Sequence, residues 1–316
     1  MSEPVDLGNG IYQIDLYDQE PGRTNGYLIL SDRVALVETG PAPGVAHITD
    51  ALKSLAVPPE KVDCIIVTHI HLDHAGGAGT LAQHLARAKV YVHPRGARHL
   101  IDPSRLAAGA RAVYGASFDR LFGEVLPVPP ERVYTPADGE TLDLGGGRLL
   151  TFYFTPGHAR HHFVVHDPFS RGIFSGDALG LRFLALSDLL GFDFTLPSAP
   201  PPEFDPAAAV ETLDRICGLE PDYIYFTHFG KAAGAVAILK RIKELISVFE
   251  SIGRQVFDSG GRDEEIETAL WELVMREIGR HMTFDRGHPA VKFLELDLRL
   301  NAGGITHYFE NMKTKS

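Results

Sequence analysis

Residues 68–77 read THIHLDHAGG, and the reading of this one loop decides the fold. His69, His71, Asp73 and His74 fall inside six residues. Before them stands VDCIIV (62–67), a short β-branched run that reads as a buried strand, and after them GGAGTLAQHLARA (76–88) reads as a helix. A strand that runs directly into a crowded imidazole loop is either a polar surface turn or a metal site. With 15 histidines in 316 residues, an H-x-H-x-D-H match arises by composition in about 0.2% of such chains. A metal site is therefore the expectation to carry outward.

Three further segments finish an apolar strand and at once offer a metal-binding side chain. GRLLTFYFTPGH (147–158) ends in His158, RGIFSGD (171–177) ends in Asp177, and PDYIYFTHFG (221–230) carries His228. In a layered α/β sheet the carboxyl ends of the strands open into a common crevice. Four loops at that edge would bring five imidazoles and two carboxylates together. Residues adjacent in sequence rarely share one tetrahedral metal, so His69 and His71 are expected to face one ion and Asp73 and His74 a second. The seven ligands then split three and three, with one carboxylate bridging. Such a set suits two divalent ions, with zinc the expected metal and iron or manganese the alternatives.

The rest of the chain supports a layered α/β architecture. GIYQIDL (10–16) reads as a strand, TNGYLILSD with RVALVETG (24–40) as a hairpin pair, VAHITDALKSLA (45–56) as a helix and KVYVHP (89–94) as a strand. GRLLTFYF, HHFVVHD and RGIFSG are three successive strands, and 207–219 is a helix with Pro206 placed at its start. Past about residue 232 the apolar spacing becomes helical. We therefore expect a catalytic domain over 1–232 and a mostly helical extension over 233–316.

Composition limits the functional classes. A net charge of −11 and a pI near 5.7 disfavour a nucleic-acid partner, which needs a basic face. The first residues show no basic segment followed by an apolar one, and no apolar run approaches the roughly 20 residues of a membrane span. A cytoplasmic protein with no membrane partner is expected. Cys64 and Cys217 read as buried thiols. Exposed helical faces in the extension leave a homodimer open.

These segments also resemble a known family. THIHLDHAGG, TPGHARHH (155–162), FSGDALG (174–180) and YFTHFG (225–230) are similar, in order, to the metal motifs of the metallo-β-lactamase-fold hydrolases, over roughly residues 7–232. The resemblance implies a four-layer αββα sandwich with a dinuclear centre. By motif match, His69, His71 and His158 would hold one metal, Asp73, His74 and His228 the other, with Asp177 between them. His162, Thr68 and Glu38 would stand behind these ligands, Glu38 where the family more often has Asp. No cysteine takes the second site, His71 is not the glutamate of the flavin-partnered oxygen reductases, and no nucleic-acid-binding domain is seen. What remains resembles the glyoxalase-II-like and lactonase-like branch.

The implied chemistry is hydrolysis of a small-molecule thioester or ester, with a hydroxide bridging two metals as nucleophile and Asp73 orienting it. A lactonase is the alternative, then a di-iron oxidoreductase on the same ligands, or a metal-stabilised binding protein. No G-x-S-x-G is present to suggest a serine hydrolase. Substrate contacts are expected in the long apolar stretch 179–206, where Phe183, Phe192 and Phe194 offer an acyl pocket or alternatively pack as core. The helical insertion 104–127 is a second candidate cover. Lys240, Arg241 and Lys243 offer a cationic face for an anionic thiol carrier, or else a solvated helix face.

Overall fold

Strand alternation builds the first sheet in simple sequence order. The computed structural model describes residues 3–17, 20–283 and 285–315. Its first sheet runs β1 (Val5–Asp6), β2 (Ile11–Asp15), β3 (Asn25–Ile29), β4 (Val34–Val37), β5 (Val62–Ile66), β6 (Lys89–Tyr91) and β7 (Val133–Tyr134). The pairings β1 to β4 are antiparallel, and from β4 to β7 they are parallel. The parallel half requires crossovers, and helices supply them. They are α1 (Val45–Ser54), then α2 (Leu72–Ala75) and α3 (Ala78–His84), then α4 (Pro94–Ile101), α5 (Ser104–Tyr114) and α6 (Phe118–Phe122).

Period-two alternation sends each strand's side chains to two different cores. Leu28, Leu36, Ile65 and Val90 pack under Ile48, Leu52 and Leu81 of α1 and α3. Tyr27, Ile29, Ala35, Cys64 and Ile66 face the other way, against Leu150, Phe152, Phe163, Val165, Phe174 and Tyr225. Each fully buried aliphatic of this kind contributes about 1.5–3 kcal/mol.

The second set belongs to a six-stranded sheet that begins with β8 (Thr141–Asp143), β9 (Leu149–Phe154), β10 (Phe163–Asp167) and β11 (Gly172–Phe174). The chain then makes a small separate pair, β12 (Leu181–Arg182) with β13 (Thr195–Leu196), before β14 (Tyr223–Phe226) and β15 (Gly230–Ala233) complete the larger sheet. Its order is β15-β14-β11-β10-β9-β8, antiparallel from β8 to β11 and parallel between β11 and β14. The carboxyl ends of β9, β11 and β14 therefore share one edge. That edge meets the first sheet where β4 and β5 end: Thr24, just before β3, bridges His228, and Asn25 N donates to Thr227 O at 2.7 Å.

Two compact units emerge from the contacts, and they interleave along the chain. The first holds 1–154, 161–176 and 223–231, and the second holds 155–160, 177–222 and 232–316. The second unit contains α7 (Leu184–Leu190), α8 (Pro206–Cys217), α9 (Ala235–Asp258), α10 (Asp263–Ile278) and α11 (Leu294–Lys315). Asp205 caps α8 by accepting from Ala208 N at 3.1 Å, with Pro206 at the first helical position. Stacked helices and two sheets in the first unit, with the C-terminal helices in the second, make this an α/β sandwich of the expected class.

The stretch 179–206 is not a bare loop: it contains β12, α7 and β13. Ser187 stabilises this unit by donating to Phe183 O and accepting from Phe194 N, both at 2.9 Å.

Candidate metal centre

The loop after β5 is shaped from both sides. After β4 come Glu38 and Gly40, both at positive φ (67° and 64°), so the chain turns sharply beneath α2. Thr39 then holds that helix from below: its N–H and its hydroxyl both donate to His74 O, at 2.9 and 2.8 Å. Glu38 is buried, accepts from Thr68 N at 3.3 Å, and lies 3.6 Å from His74 Nδ1. Glu38 stands where the family more often has Asp, and its longer side chain reaches both Thr68 and His74.

Within the first unit two groups of donors form. His69 Nε2 lies 2.9 Å from His71 Nδ1, and Thr68 Oγ1 lies 3.1 Å from His69 Nδ1. Two imidazole nitrogens on one tetrahedral zinc, bonded at about 2.0–2.1 Å, stand roughly 3.3 Å apart, so this convergence suits a shared ion. The second group is Asp73, His74 and His228, whose donor atoms all lie within 4.8 Å of one another. Asp73 Oδ2 is 3.6 Å from both His74 Nε2 and His228 Nε2. On the far side of its ring, His228 Nδ1 donates to Arg23 O at 3.0 Å, so Nε2 is the candidate ligand atom.

His162 stacks on His69 with ring centroids 4.8 Å apart. Gly176 is required there: at φ +48°, a Cβ would lie 2.4 Å from Thr68 Oγ1 and 2.5 Å from His162 Nε2. His161 also joins the cluster, edge-on to His71 at 5.6 Å. His161 was not among the candidates read from the sequence, although the run HARHH (158–162) was its visible signal.

The second unit holds the two remaining candidate ligands. His158 sits in a turn fixed to α8: Thr212 Oγ1 donates to Pro156 O at 2.7 Å, and Asp205 N donates to Gly157 O at 2.8 Å. His158 Nε2 lies 3.8 Å from Asp177 Oδ2. Both side chains are buried, and both are hydrogen-bonded to Ser198, a residue the sequence analysis missed.

The substrate-contact candidates divide. Phe183 and Phe194 are 2% exposed and packed edge-on in the interior of the second unit, whereas Phe192 is 40% exposed beside His281. Arg241 pairs with Glu277 and Lys243 with Asp214, each at 2.5 Å, so two of the three basic residues already serve ion pairs within the helices.

Comparison with known proteins identifies the family. Residues 20–228 match the family described as the metallo-beta-lactamase superfamily. The metallo-beta-lactamase fold-containing protein ST1585 of Sulfurisphaera tokodaii is 31% identical over 221 residues, 69% of this chain and 78% of that protein. The crystal structure of ST1585, from Sulfolobus tokodaii, superposes with a TM-score of 0.66 over 96% of this chain and 99% of that one, at 21% identity. The acyl-coenzyme A thioesterase MBLAC2 of Gallus gallus is 30% identical over 55% of this chain and 64% of its own length. The N-acyl homoserine lactonase AttM of Agrobacterium fabrum is 29% identical over 39% of this chain and 43% of its own length. The motifs in their order, the donor groups at one sheet edge and the family match over 20–228 lead to one statement: this chain belongs to the metallo-beta-lactamase superfamily.

Proposed function

We propose that this chain is a dinuclear-metal-dependent hydrolase of a small-molecule thioester or ester. The observation that carries the proposal is the pairing of two donor groups around one short loop, with His228 reaching the second from the end of β14. His69 Nε2 and His71 Nδ1 converge at 2.9 Å, and Asp73, His74 and His228 converge beside them. In this reading His69, His71 and His158 would hold one divalent ion and Asp73, His74 and His228 the other, with Asp177 between them. Zinc is the metal that donor set favours.

Such ions, when bound, activate a water as nucleophile and polarise the carbonyl under attack. The protein supplies the rest. Asp73, about a third exposed, sits at the open side of the group, where it orients the attacking water and receives its proton. His228 is held in one tautomer by Arg23 O, and His74 is held by Thr39 and Glu38, so the donors are set before substrate arrives.

The activity named for the chicken relative supports a thioester substrate. The lactonase relative supports a lactone as the second reading, over a shorter match. Two free cysteines, Cys64 and Cys217, favour a reducing, cytoplasmic setting.

The test is a hydrolysis panel on zinc-, iron- and manganese-loaded protein. It sets coenzyme A and glutathione thioesters against acyl-homoserine and simple lactones, with His71→Ala as control. Metal-dependent turnover of one class, lost in the variant, establishes the bond type. Full metal occupancy with no turnover, together with visible absorption and oxygen consumption in the iron form, would replace hydrolysis with redox chemistry.

A further inference from the structure

The segment Pro197–Ala199 connects the C-terminal helix to both candidate ligands of the second unit. His158 Nδ1 lies 3.2 Å from Ser198 O. A carbonyl only accepts, so Nδ1 carries the hydrogen and the Nε2 lone pair points away from Ser198. The hydroxyl of the same serine donates to Asp177 Oδ2 at 3.4 Å. One residue therefore sets the imidazole through its backbone and the carboxylate through its side chain.

Ser198 is itself held from α11. The amide of Asn301, 2% exposed, donates to Pro197 O at 3.0 Å and accepts from Ala199 N at 2.6 Å. It thus grips the peptide groups on both sides of Ser198. The local sequence makes this grip necessary: Pro197, Pro200, Pro201 and Pro202 carry no N–H, so the segment has little means of bonding into a sheet of its own. Helix and segment are also in backbone contact, since a Cβ on Gly304 would lie 1.9 Å from Ala199 O. A buried side-chain amide with both its donor and its acceptor used, over a glycine that permits close approach, is a built clamp.

We propose that Ser198 and Asn301 are positioning residues of the metal centre. Asn301 fixes the segment, and Ser198 orients His158 and Asp177 as ligands. The inference rests on the metal-centre reading above and adds to it that α11 is part of the site's construction. Partners of this kind set ring orientation and ligand basicity, and losing one weakens metal binding by about 10- to 100-fold.

The test is cobalt(II) titration of metal-free full-length protein, with chelator competition and the cobalt absorption spectrum as readouts. Wild type, Ser198→Ala, Ser198→Thr and Asn301→Ala are compared, with the melting temperature of each metal-free form measured in parallel. Ser198→Ala keeps the carbonyl and removes the hydroxyl. Because Asp177 lies between the two ions in this reading, the variant is expected to weaken cobalt binding about 10- to 100-fold, with an altered spectrum and an unchanged metal-free melting temperature. Ser198→Thr restores the hydroxyl and should restore both readouts. Asn301→Ala should weaken both equivalents; if it does not fold, the two Ser198 variants decide. Wild-type cobalt affinity and spectrum in Ser198→Ala overturn this inference while leaving the metal centre standing. A wild-type protein that binds no cobalt overturns the metal centre, and this inference with it.

Discussion

The carboxylate of Glu38 lies 3.6 Å from Nδ1 of His74, and both side chains are buried to 1% exposure or less. Glu38 also adopts φ +67°, an uncommon conformation for a non-glycine residue, so the β4 turn carries local strain to place this group. In the dinuclear reading, a buried acid facing Nδ1 of His74 favours the tautomer whose Nε2 faces the metal. Glu38→Gln is expected to fold and to bind the second metal equivalent about 10- to 100-fold more weakly, with a parallel loss of turnover. Glu38→Asp, one methylene shorter, should fall between the two. Isothermal titration of zinc into the metal-free variants measures this; unchanged stoichiometry and affinity in Glu38→Gln would remove Glu38 from the site.

Gly176 is the tightest point behind the His69 group. Gly176→Ala would place a methyl against Thr68 Oγ1 and His162 Nε2 at a positive φ. Overpacking of this kind costs about 1–3 kcal/mol. The displaced atoms are those that support His69, so stability and metal affinity should fall together. A urea titration and a zinc titration on the same preparation check it. A variant as stable as wild type would show that the pocket relaxes freely.

The loop 68–77 was legible because strand, ligands and helix follow one another without interruption, and each has a local signal. VDCIIV became β5 and RGIFSG became β11 because short β-branched or apolar runs bounded by turn residues have few alternatives. The support was less legible. Ser198 and Asn301 act through a carbonyl and an amide between segments far apart in sequence, and neither residue type is informative alone. The helix α7 was hidden inside an apolar, proline-rich stretch: Gly191 in the left-handed conformation closes its C-terminus, but Phe183 at its start carries no capping side chain, and Ser187 bonds across to Phe183 and Phe194 instead. Phe183 and Phe194 read equally well as pocket wall or as core, since apolarity alone does not say which side faces water.

His93 caps α4 by accepting from Arg95 N at 3.1 Å, which requires a neutral ring nitrogen. Burial first, and then the Arg95 charge, push its pKa down from 6.5 to about 4, against a smaller opposing effect of Asp138. A group whose pKa is lowered on folding contributes stability that is present above its unfolded value and lost as pH falls. Folding stability should therefore decline between about pH 6.5 and pH 4. His93→Asn keeps a capping oxygen without the titration. Its stability should change less than that of wild type between pH 6.5 and 5, where most carboxylates have not yet protonated. Equal slopes for the two proteins in urea titrations across that range would exclude His93 as the source.

Cys64 sits in β5 between the two sheets with no exposure, and burial pushes its thiol up from 9.0 to about 11, opposed by Arg33. Its neighbour Tyr91 is pushed up to about 12 in the same way. The folded state keeps the Cys64 proton where the unfolded chain releases it, so the stability this thiol contributes is whole below about pH 9 and is lost as pH rises toward 11. Only the thiolate is nucleophilic, so Cys64 should resist iodoacetamide at pH 8.5 in the native protein and react once urea unfolds the chain. Cys217, at the end of α8 and partly exposed, provides the internal comparison. Peptide mass mapping after timed alkylation separates the two sites. Labelling of native Cys64 at the rate seen in urea would mean that β5 opens to solvent far more often than a strand central to the first sheet should, and would undercut the rigid placement of the His69 loop that follows it.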